Sequence, residues 1–307
     1  MEVVFLGTTA AVPTAQRAHP GIALCYRDEV LLWDCGEGVQ RQLISAKVNF
    51  MRISRVFITH LHGDHFLGLP GLLQTLGFSD RKAPLKIYGP EGIEELVERM
   101  LGLGVFELGY EVAVERLKPG MRVQGNGYEV VAFPVVHGIP AFGLAFRELK
   151  GRRFLREKAE ALGIPPGPLY KRLQRGERVV FGGRVIEPEE VLGEQKKGFR
   201  VTYSGDTRPV EETVRHAGEA LLIHDSTFGA EEAEKARSRL HSTCTEAAHI
   251  AKEAGARMLY LTHISPRYRD TGAMEAQARE VFPESHVAED LLRVDLLSLR
   301  RERGWWR

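Results

Sequence analysis

Histidines and an aspartate crowd into one short segment of the chain. Residues 59–65 read Thr-His-Leu-His-Gly-Asp-His, so that His60, His62, Asp64 and His65 fall within six positions. Neutral imidazoles and carboxylates bind zinc at roughly 2.0–2.2 Å, and they are costly to bury unless something binds them. The segment therefore predicts a site for two adjacent metal ions. Zinc is the expected ion, with manganese or another divalent cation as the alternative.

Four ligands from one segment cannot complete two coordination spheres, so further ligands must come from elsewhere in the chain. His137, Asp206 and His263 each follow an apolar run with the composition of a buried strand. Alone, each could be a packed or solvent-facing histidine or a turn aspartate. Together with residues 59–65 they are expected to complete the site. A carboxylate can bridge two cations as an imidazole cannot, which makes Asp206 the natural bridging ligand.

The predicted elements explain how distant residues could meet. Residues 55–59 are apolar, β-branched and aromatic, as in a buried strand, and residues 66–73 should open a helix. Predicted strands over 128–136, 200–205 and 258–262 precede the three distant candidates. Since open α/β sheets gather ligands at the carboxyl ends of their strands, the pattern predicts an α/β fold with its site at one sheet edge.

The order of these residues resembles that of the metallo-β-lactamase superfamily: a His-x-His-x-Asp-His segment, a distant His, a distant Asp or Cys, and a final His. The resemblance implies a four-layer αβ/βα sandwich with two metal ions along one edge of two packed sheets. Asp206 in place of Cys, and His62 in place of Glu, favour a dinuclear zinc hydrolase over the lactamase and diiron branches. The implied ligands are His60, His62 and His137 for the first ion, Asp64, His65 and His263 for the second, and Asp206 between them.

A basic segment rich in proline and glycine extends from residue 147 to about residue 184. It interrupts the strands and helices between His137 and Asp206, which predicts an arm inserted into a single domain over residues 1–307. Short helical turns around a Pro-Gly bend could present its cations together to phosphates. A solvated surface arm or a dimer contact is the alternative. The candidate RNA-binding residues are Arg152, Arg153, Arg156, Lys158, Lys171, Arg172 and Arg175.

Further segments narrow the resemblance to the ribonuclease Z family of tRNA 3′-processing endonucleases. They are residues 5–13, 34–43, 162–170, 241–243 and 262–268. The resemblance implies hydrolytic removal of the 3′ trailer from precursor tRNA, leaving a 3′-hydroxyl on the tRNA. It also implies a homodimer in which the arm of one subunit grips the tRNA that the other subunit cleaves. Many members carry Pro-x-Lys-x-Arg-Asn near the N terminus, but Ala15 and Ala18 stand at the Lys and Asn positions here. The cleavage position and the discrimination against CCA therefore stay open.

Three residues are candidates for proton transfer. Asp64 could accept a proton from the attacking water as well as bind metal, or it could be a ligand alone. His241, in His-Ser-Thr at the start of a predicted helix, could protonate or stabilise the leaving 3′-oxygen, or it could be a capping or core histidine. Asp225 follows another predicted strand and could orient His241, although the family more often has Glu there.

Composition sets wider bounds. A chain of 307 residues with 43% hydrophobic content can bury a substantial core, and a net charge of +1 neither demands nor excludes nucleic acid. No signal-peptide pattern or membrane-spanning apolar run is evident, and three cysteines lack Cys-x-x-Cys spacing, so we expect a cytoplasmic protein. The rival functions are a general phosphodiesterase or lactonase of the same fold, and a non-catalytic RNA-binding module.

Overall fold

Two seven-stranded sheets dominate the computed structural model, which describes residues 1–306 apart from the side chain of Gln195. In spatial order, the first sheet contains β18 (Arg293–Asp295), β1 (Glu2–Gly7), β2 (Gly21–Tyr26), β3 (Glu29–Trp33), β4 (Ile53–Phe57), β5 (Leu85–Gly89) and β6 (Val112–Arg116). The second contains β17 (Ser285–Val287), β16 (Met258–Thr262), β15 (Leu221–Asp225), β14 (Arg200–Tyr203), β9 (Phe142–Glu148), β8 (Tyr128–Pro134) and β7 (Arg122–Gly125).

Large aromatic side chains from both sheets form one buried core between them. Trp33 of the first sheet stacks on Tyr203 of the second, with ring centroids 6.1 Å apart and an interplanar angle of 9°. The rings of Phe5 and Tyr260 lie 5.2 Å apart across the same interface. Aromatic pairs of this kind bury a large apolar area in a fixed geometry. These aromatic pairs therefore fix the packing of the two sheets face to face.

Helices cover the outer face of each sheet. In α3, for example, Leu69, Leu72, Leu73 and Leu76 recur at helical spacing and are buried against the first sheet. The helices are α1 (Val39–Ser45), α2 (Gly63–Phe66), α3 (Leu69–Phe78) and α4 (Ile93–Leu101) with the first sheet, then α8 (Glu211–Ala217), α9 (Ala233–Ser238), α10 (Cys244–Ala254) and α11 (Gly272–Val281). The last helix, α12 (Leu296–Arg303), instead packs Leu296 and Leu299 against the core between the sheets. The predicted four-layer αβ/βα sandwich is confirmed. No helix among the described residues is long and apolar enough to cross a membrane.

Most strands that lead to the candidate ligands lie in parallel ladders, and the exception is β8, which precedes His137 and pairs antiparallel with β7 and β9. Strands β3 to β6 run parallel in the first sheet, and β14 to β17 run parallel in the second. Each predicted strand ends at or before its predicted limit: β4 stops at Phe57, β8 at Pro134 and β14 at Tyr203. The next few residues leave the ladder, and the Phe142 amide donates to the Thr59 carbonyl at 3.0 Å, which joins the edges of the two sheets.

The inserted arm is a small folded unit between β9 and β14. Its elements are β10 (Arg152–Phe154), α5 (Arg156–Ala161), α6 (Pro168–Gln174), β11 (Val179–Phe181), β12 (Arg184–Ile186), α7 (Pro188–Val191) and β13 (Leu192–Gln195). Ala159, Ile164, Leu173, Val179 and Ile186 pack in a separate apolar cluster. Strand β10 pairs antiparallel with β13, so the unit closes at Gln195, beyond the predicted end near residue 184. A sequence limit based on basic and Pro-Gly-rich residues misses the returning strand.

Candidate metal centre

Seven side chains from four strand ends meet at one edge of the sandwich, and the buried carboxylate of Asp206 lies at their centre. Its Oδ2 lies 3.1 Å from His263 Nε2, 3.3 Å from His65 Nε2 and 3.6 Å from His60 Nε2. His137 Nε2 is 4.0 Å away. Asp206 follows β14, while the histidines follow β4, β8 and β16. All seven sequence-predicted ligands are brought together.

The candidate ligand atoms form several overlapping groups, and two of these groups have the composition that the family resemblance implies. His60, His62 and His137 form one and Asp64, His65 and His263 the other, with the ligand atoms of each within 4.8 Å of one another. His62 Nδ1 is 3.1 Å from Nε2 of both His60 and His137. Nitrogens that share a tetrahedral zinc at 2.0–2.1 Å would be about 3.3 Å apart. The spacing in the first group therefore fits a common ion.

Hydrogen bonds on the outer side of the rings hold four histidines with Nε2 facing inward. His65 Nδ1 lies 2.8 Å from Asp34 Oδ2, and His263 Nδ1 lies 2.9 Å from Thr227 Oγ1. His60 Nδ1 contacts Thr59 Oγ1 at 3.1 Å, and His137 Nδ1 contacts the Leu240 carbonyl at 3.1 Å. Partners of this kind fix the orientation of metal-binding imidazoles and raise their basicity. His62 instead presents Nδ1 to the group.

Asp34 is a functional residue that the sequence reasoning did not select. Its buried carboxylate accepts hydrogen bonds from the Thr59 amide at 2.8 Å and the Tyr203 hydroxyl at 2.9 Å, in addition to its contact with His65. Asp34 follows β3 and has φ 56°, a left-handed conformation that is unusual outside glycine. Its place directly after a buried strand, like that of Asp206, is the signal that could have revealed it.

Buried negative charge is concentrated here, and the ion-pair partners of the carboxylates are histidines. Burial holds the pKa of His60 well below its usual value, which keeps that ring neutral as a metal ligand must be. Asp206 Oδ1 and His65 Nε2 are buried without a hydrogen-bond partner. Unpaired buried donors and acceptors are costly. Imidazoles and carboxylates with unused inward-facing atoms are a donor set that fits divalent cations.

His241 and Asp225 form a hydrogen-bonded pair beside this centre. His241 Nδ1 lies 2.8 Å from Asp225 Oδ2, and the His241 ring lies 4.9 Å from that of His137 and 5.2 Å from that of His263. Burial disfavours charge on His241, but the Asp225 carboxylate outweighs it and raises the pKa of the imidazole to about 9. His241 is therefore available as a proton donor at neutral pH.

The surroundings of these two residues are largely buried. Asp225 is fully buried and also accepts hydrogen bonds from the Thr207 and Thr227 amides, each at 2.9 Å. The pair precedes α10, whose N-cap is Thr243 in a capping box with Glu246. His241 therefore lies just before the helix and does not begin it. The shorter side chain of Asp225 still reaches the ring.

Asp64 has a more constrained position. Its Oδ2 accepts a hydrogen bond from the Ala11 amide at 2.9 Å and lies 3.4 Å from His263 Nε2. Burial favours the protonated carboxyl, but the hydrogen bond with His263 and the charge of His65 hold the pKa of Asp64 below its usual value. A carboxylate with a lowered pKa is a weaker proton acceptor. The geometry suits Asp64 as a ligand better than as a general base.

The seven candidate RNA-binding cations all lie on the arm, but three of them form ion pairs within it. Arg152 pairs with Glu189, Arg156 with Glu160, and Arg172 with Glu177. The other four are exposed and have no carboxylate partner in the part of the chain that the structure describes: Arg153, Lys158, Lys171 and Arg175.

Comparison with known proteins gives full-length relatives. The chain is 48% identical to the ribonuclease Z of Methanothermobacter thermautotrophicus over 96% of its own length and 97% of the relative's. It is 43% identical to the ribonuclease Z of Archaeoglobus fulgidus, again over 96% of the chain and 97% of the relative. The chain belongs to the ribonuclease Z family. Family models described as the anti-Pycsar protein Apyc1 and the β-lactamase superfamily domain match residues 1–149 and 177–264.

Solved structures agree with this family assignment. The short form of human tRNase Z superposes with a TM-score of 0.71 at 30% identity, covering 96% of this chain and 99% of that one. The metallo-β-lactamase fold protein YhfI from Bacillus subtilis superposes with a TM-score of 0.70 at 19% identity, covering 95% and 98%. The second likeness concerns the fold alone. The resemblance to ribonuclease Z expected from the sequence is therefore confirmed.

Proposed function

We propose that the protein is an endoribonuclease that removes the 3′ trailer from precursor tRNA by hydrolysis of one phosphodiester. The observation that carries the proposal is the meeting of seven ligand-type residues in two sets, with the Asp225–His241 pair alongside. Membership of the ribonuclease Z family supports tRNA as the substrate, as does the exposed basic arm. Exposed cations on an arm would not contribute to the hydrolysis of a lactone, which carries no phosphate.

The residues would hold two zinc ions, His60, His62 and His137 around one, Asp64, His65 and His263 around the other, and Asp206 between them. Two-metal sites activate a water molecule and neutralise charge on the attacked phosphate. In this chain the outer partners Thr59, Asp34, Thr227 and the Leu240 carbonyl would keep the imidazoles oriented for that purpose.

His241 would supply a proton to the leaving 3′-oxygen, or stabilise its charge. The 2.8 Å hydrogen bond to Asp225 directs the opposite nitrogen of the ring away from the buried carboxylate, and 15% of the His241 side chain stays exposed to a substrate. Asp225 would be a positioning residue. Asp64 would bind metal and would also accept the proton of the attacking water, although its lowered pKa makes it a weaker base than an ordinary aspartate.

Recognition would fall to the arm, within one catalytic domain spanning residues 1–307. Its exposed cations suit the phosphates of tRNA and lie on a unit with its own apolar core. We further propose a homodimer, in which one subunit's arm holds the tRNA that the other cleaves, and a cytoplasmic location. The family resemblance is the support for both.

Incubation with an end-labelled precursor tRNA tests the function directly. We expect release of the intact trailer with a 5′-phosphate and of a tRNA with a 3′-hydroxyl, and we expect a chelator to stop the reaction until zinc is restored. Random degradation of the RNA would indicate a general phosphodiesterase. Binding without cleavage, with or without metal, would indicate an RNA-binding module.

Elemental analysis tests the metal assignment. Protein produced with adequate zinc should contain about two zinc ions per chain, and Asp206→Ala should lower the occupancy of both positions because this carboxylate lies between them. Asp34→Asn should weaken zinc binding about 10–100-fold by loosening His65. Asp28→Ala, an exposed aspartate in the β2–β3 turn, is the matched control and should bind as the wild type does. A folded wild-type chain that binds at most one ion would exclude the two-ion assignment.

Substitution of His241 tests proton transfer. His241→Ala should lower turnover about 10²–10⁴-fold with zinc content and tRNA affinity nearly unchanged, the range expected for a positioned general acid. His249→Ala, at an exposed position on α10, serves as the control. Full activity of His241→Ala would return this residue to a structural role. Loss of zinc would show that it supports the ligands.

Removal of the arm separates recognition from chemistry. Since residues 152 and 195 are paired, a short Gly-Ser linker can replace 152–195 without spanning a large gap. Hydrolysis of bis-p-nitrophenyl phosphate should be largely retained, whereas binding and cleavage of precursor tRNA should collapse. The lost affinity should be the salt-sensitive part, because phosphate contacts release counterions.

An arm that lacks three of its exposed cations provides the matched control. The triple change Lys158→Gln, Lys171→Gln and Arg175→Gln keeps the fold of the arm and should reproduce most of the loss in tRNA affinity. An arm-deleted enzyme that processes precursor tRNA as well as the wild type would refute the arm as the tRNA grip.

A further inference from the structure

A basic groove lies at the junction between the arm and the sandwich, away from the tip of the arm. It contains a cavity of about 550 Å³ whose wall is shared by Arg27 of the β2–β3 turn, Arg153 of the arm, and Lys196 in the segment that leads back from the arm. Ligand sites in proteins are commonly about 300–1,000 Å³. Neither Arg27 nor Lys196 belongs to the arm cations predicted from the sequence.

Two neighbouring cavities share wall residues with this one. Toward the arm, Phe154 and Gln174 also line a cavity of about 330 Å³ beside α6. Toward the body, Lys150, Arg153 and Lys196 also line a cavity of about 570 Å³ that reaches α12. We call this row of three adjoining cavities the junction groove. A row of adjoining cavities suits a chain-like ligand better than a compact small molecule.

Positive charge prevails along the junction groove. Five cations line its central cavity, Arg27, Lys150, Arg152, Arg153 and Lys196, against one carboxylate, Glu148. Glu148 is already engaged: it accepts hydrogen bonds from the Phe199 amide at 3.0 Å and the Tyr26 hydroxyl at 3.2 Å. It also lies 3.4 Å from the Lys150 ammonium and 3.7 Å from the Arg300 guanidinium. Its single charge cannot neutralise the groove.

Three of the cations are available to a partner. Arg27, Arg153 and Lys196 are exposed, and within the described residues none of them pairs with a carboxylate. Arg27 is held in place by a hydrogen bond of 3.3 Å to the Asn126 carbonyl and lies over the Tyr26 ring at 5.0 Å. Exposed, unpaired cations with partly fixed geometry favour phosphate oxygens.

We propose that the junction groove binds a stretch of the phosphodiester backbone of the RNA substrate, so that the RNA contacts the body of the sandwich as well as the arm. This inference rests on the proposed function for the identity of the RNA. Its consequence is that the RNA bridges two folded units joined by residues 149–151 and 196–199. Binding therefore fixes the arm relative to the body, and a body-side contact persists when the arm cations are neutralised.

The double variant Arg27→Gln/Lys196→Gln tests the proposal without touching the arm or the metal centre. In a chelator-containing buffer, Kd for precursor tRNA should rise about tenfold or more near physiological salt. The slope of log K against log salt should fall by roughly 1.4–1.8, as expected for two lost phosphate contacts. Hydrolysis of bis-p-nitrophenyl phosphate by the zinc-loaded variant should be unchanged, which also verifies folding.

Matched variants make the result specific. Arg99→Gln/Lys118→Gln removes one exposed arginine and one exposed lysine on α4 and before β7, and should leave the slope unchanged. The charge-retaining Arg27→Lys/Lys196→Arg should restore most of the affinity. Precursor tRNA should protect Lys196, but not Lys118, from acetylation.

Two outcomes overturn the proposal: a salt slope in the test variant equal to that of the wild type, or equal acetylation of Lys196 with and without RNA. The proposed function is judged separately, by trailer release by the wild-type enzyme. A wild type that cleaves normally while the double variant binds normally refutes the junction groove alone. A wild type that never releases the trailer, while Lys196 is protected and the slope falls, refutes the function and leaves the groove as an RNA-binding surface.

Discussion

Buried negative charge at one edge of the sandwich is the constraint on which the rest of the structure depends. Asp34, Asp206 and Asp225 are at most 2% exposed, and their charged neighbours are imidazoles. Carboxylates removed from water cost several kcal/mol each unless opposite charge and hydrogen bonds compensate. Imidazoles meet this need only in part, since burial lowers the pKa of His60 and keeps that ring neutral. Cations between the two ligand sets would remove the imbalance, so metal binding and the stability of this edge are coupled.

Two residues of this edge have a strained backbone conformation, which the packing of the neighbouring core stabilises. Asp34 and His263 have φ 56° and 59°, and left-handed conformations of this kind cost about 1–3 kcal/mol for residues other than glycine. Gly205, at φ 60°, precedes Asp206 where a Cβ atom would lie 3.1 Å from the Phe142 carbonyl oxygen. Trp33 directly precedes Asp34, and its ring stacks on the ring of Tyr203 in the core. The Tyr203 hydroxyl in turn donates a hydrogen bond to the Asp34 carboxylate. Core packing and ligand orientation thus share the same residues.

The sequence was sufficient for features that depend on chain order and much less so for features that depend on contacts. The strand-then-ligand pattern predicted which histidines and aspartates would converge, because parallel strands end at a common edge. It did not reveal that the Asp34 carboxylate contacts His65 Nδ1, because Asp34 follows β3 while His65 lies in α2, and no sequence spacing links the two side chains. The arm was recognised by composition, but its closing strand β13 lacks that composition. Charge counting also treated Arg152, Arg156 and Arg172 as free cations, although each pairs with a glutamate in the folded arm.

The candidate ligands and the exposed cations of the arm occupy separate parts of this chain, and that separation has a physical basis. A metal site needs ligand atoms fixed within a few tenths of an ångström, which the two-sheet core can provide. A basic surface for RNA tolerates much looser geometry, because attraction between cations and phosphates falls off gradually with distance. The arm, with its own small core and two connecting segments, can therefore move or change in sequence without disturbing the ligands. One fold can serve many functions, so the sandwich alone does not specify a substrate. Under the proposed function, specificity would come from surfaces outside the candidate metal centre, and the exposed cations of the arm and of its junction with the body carry the charge that such a surface needs.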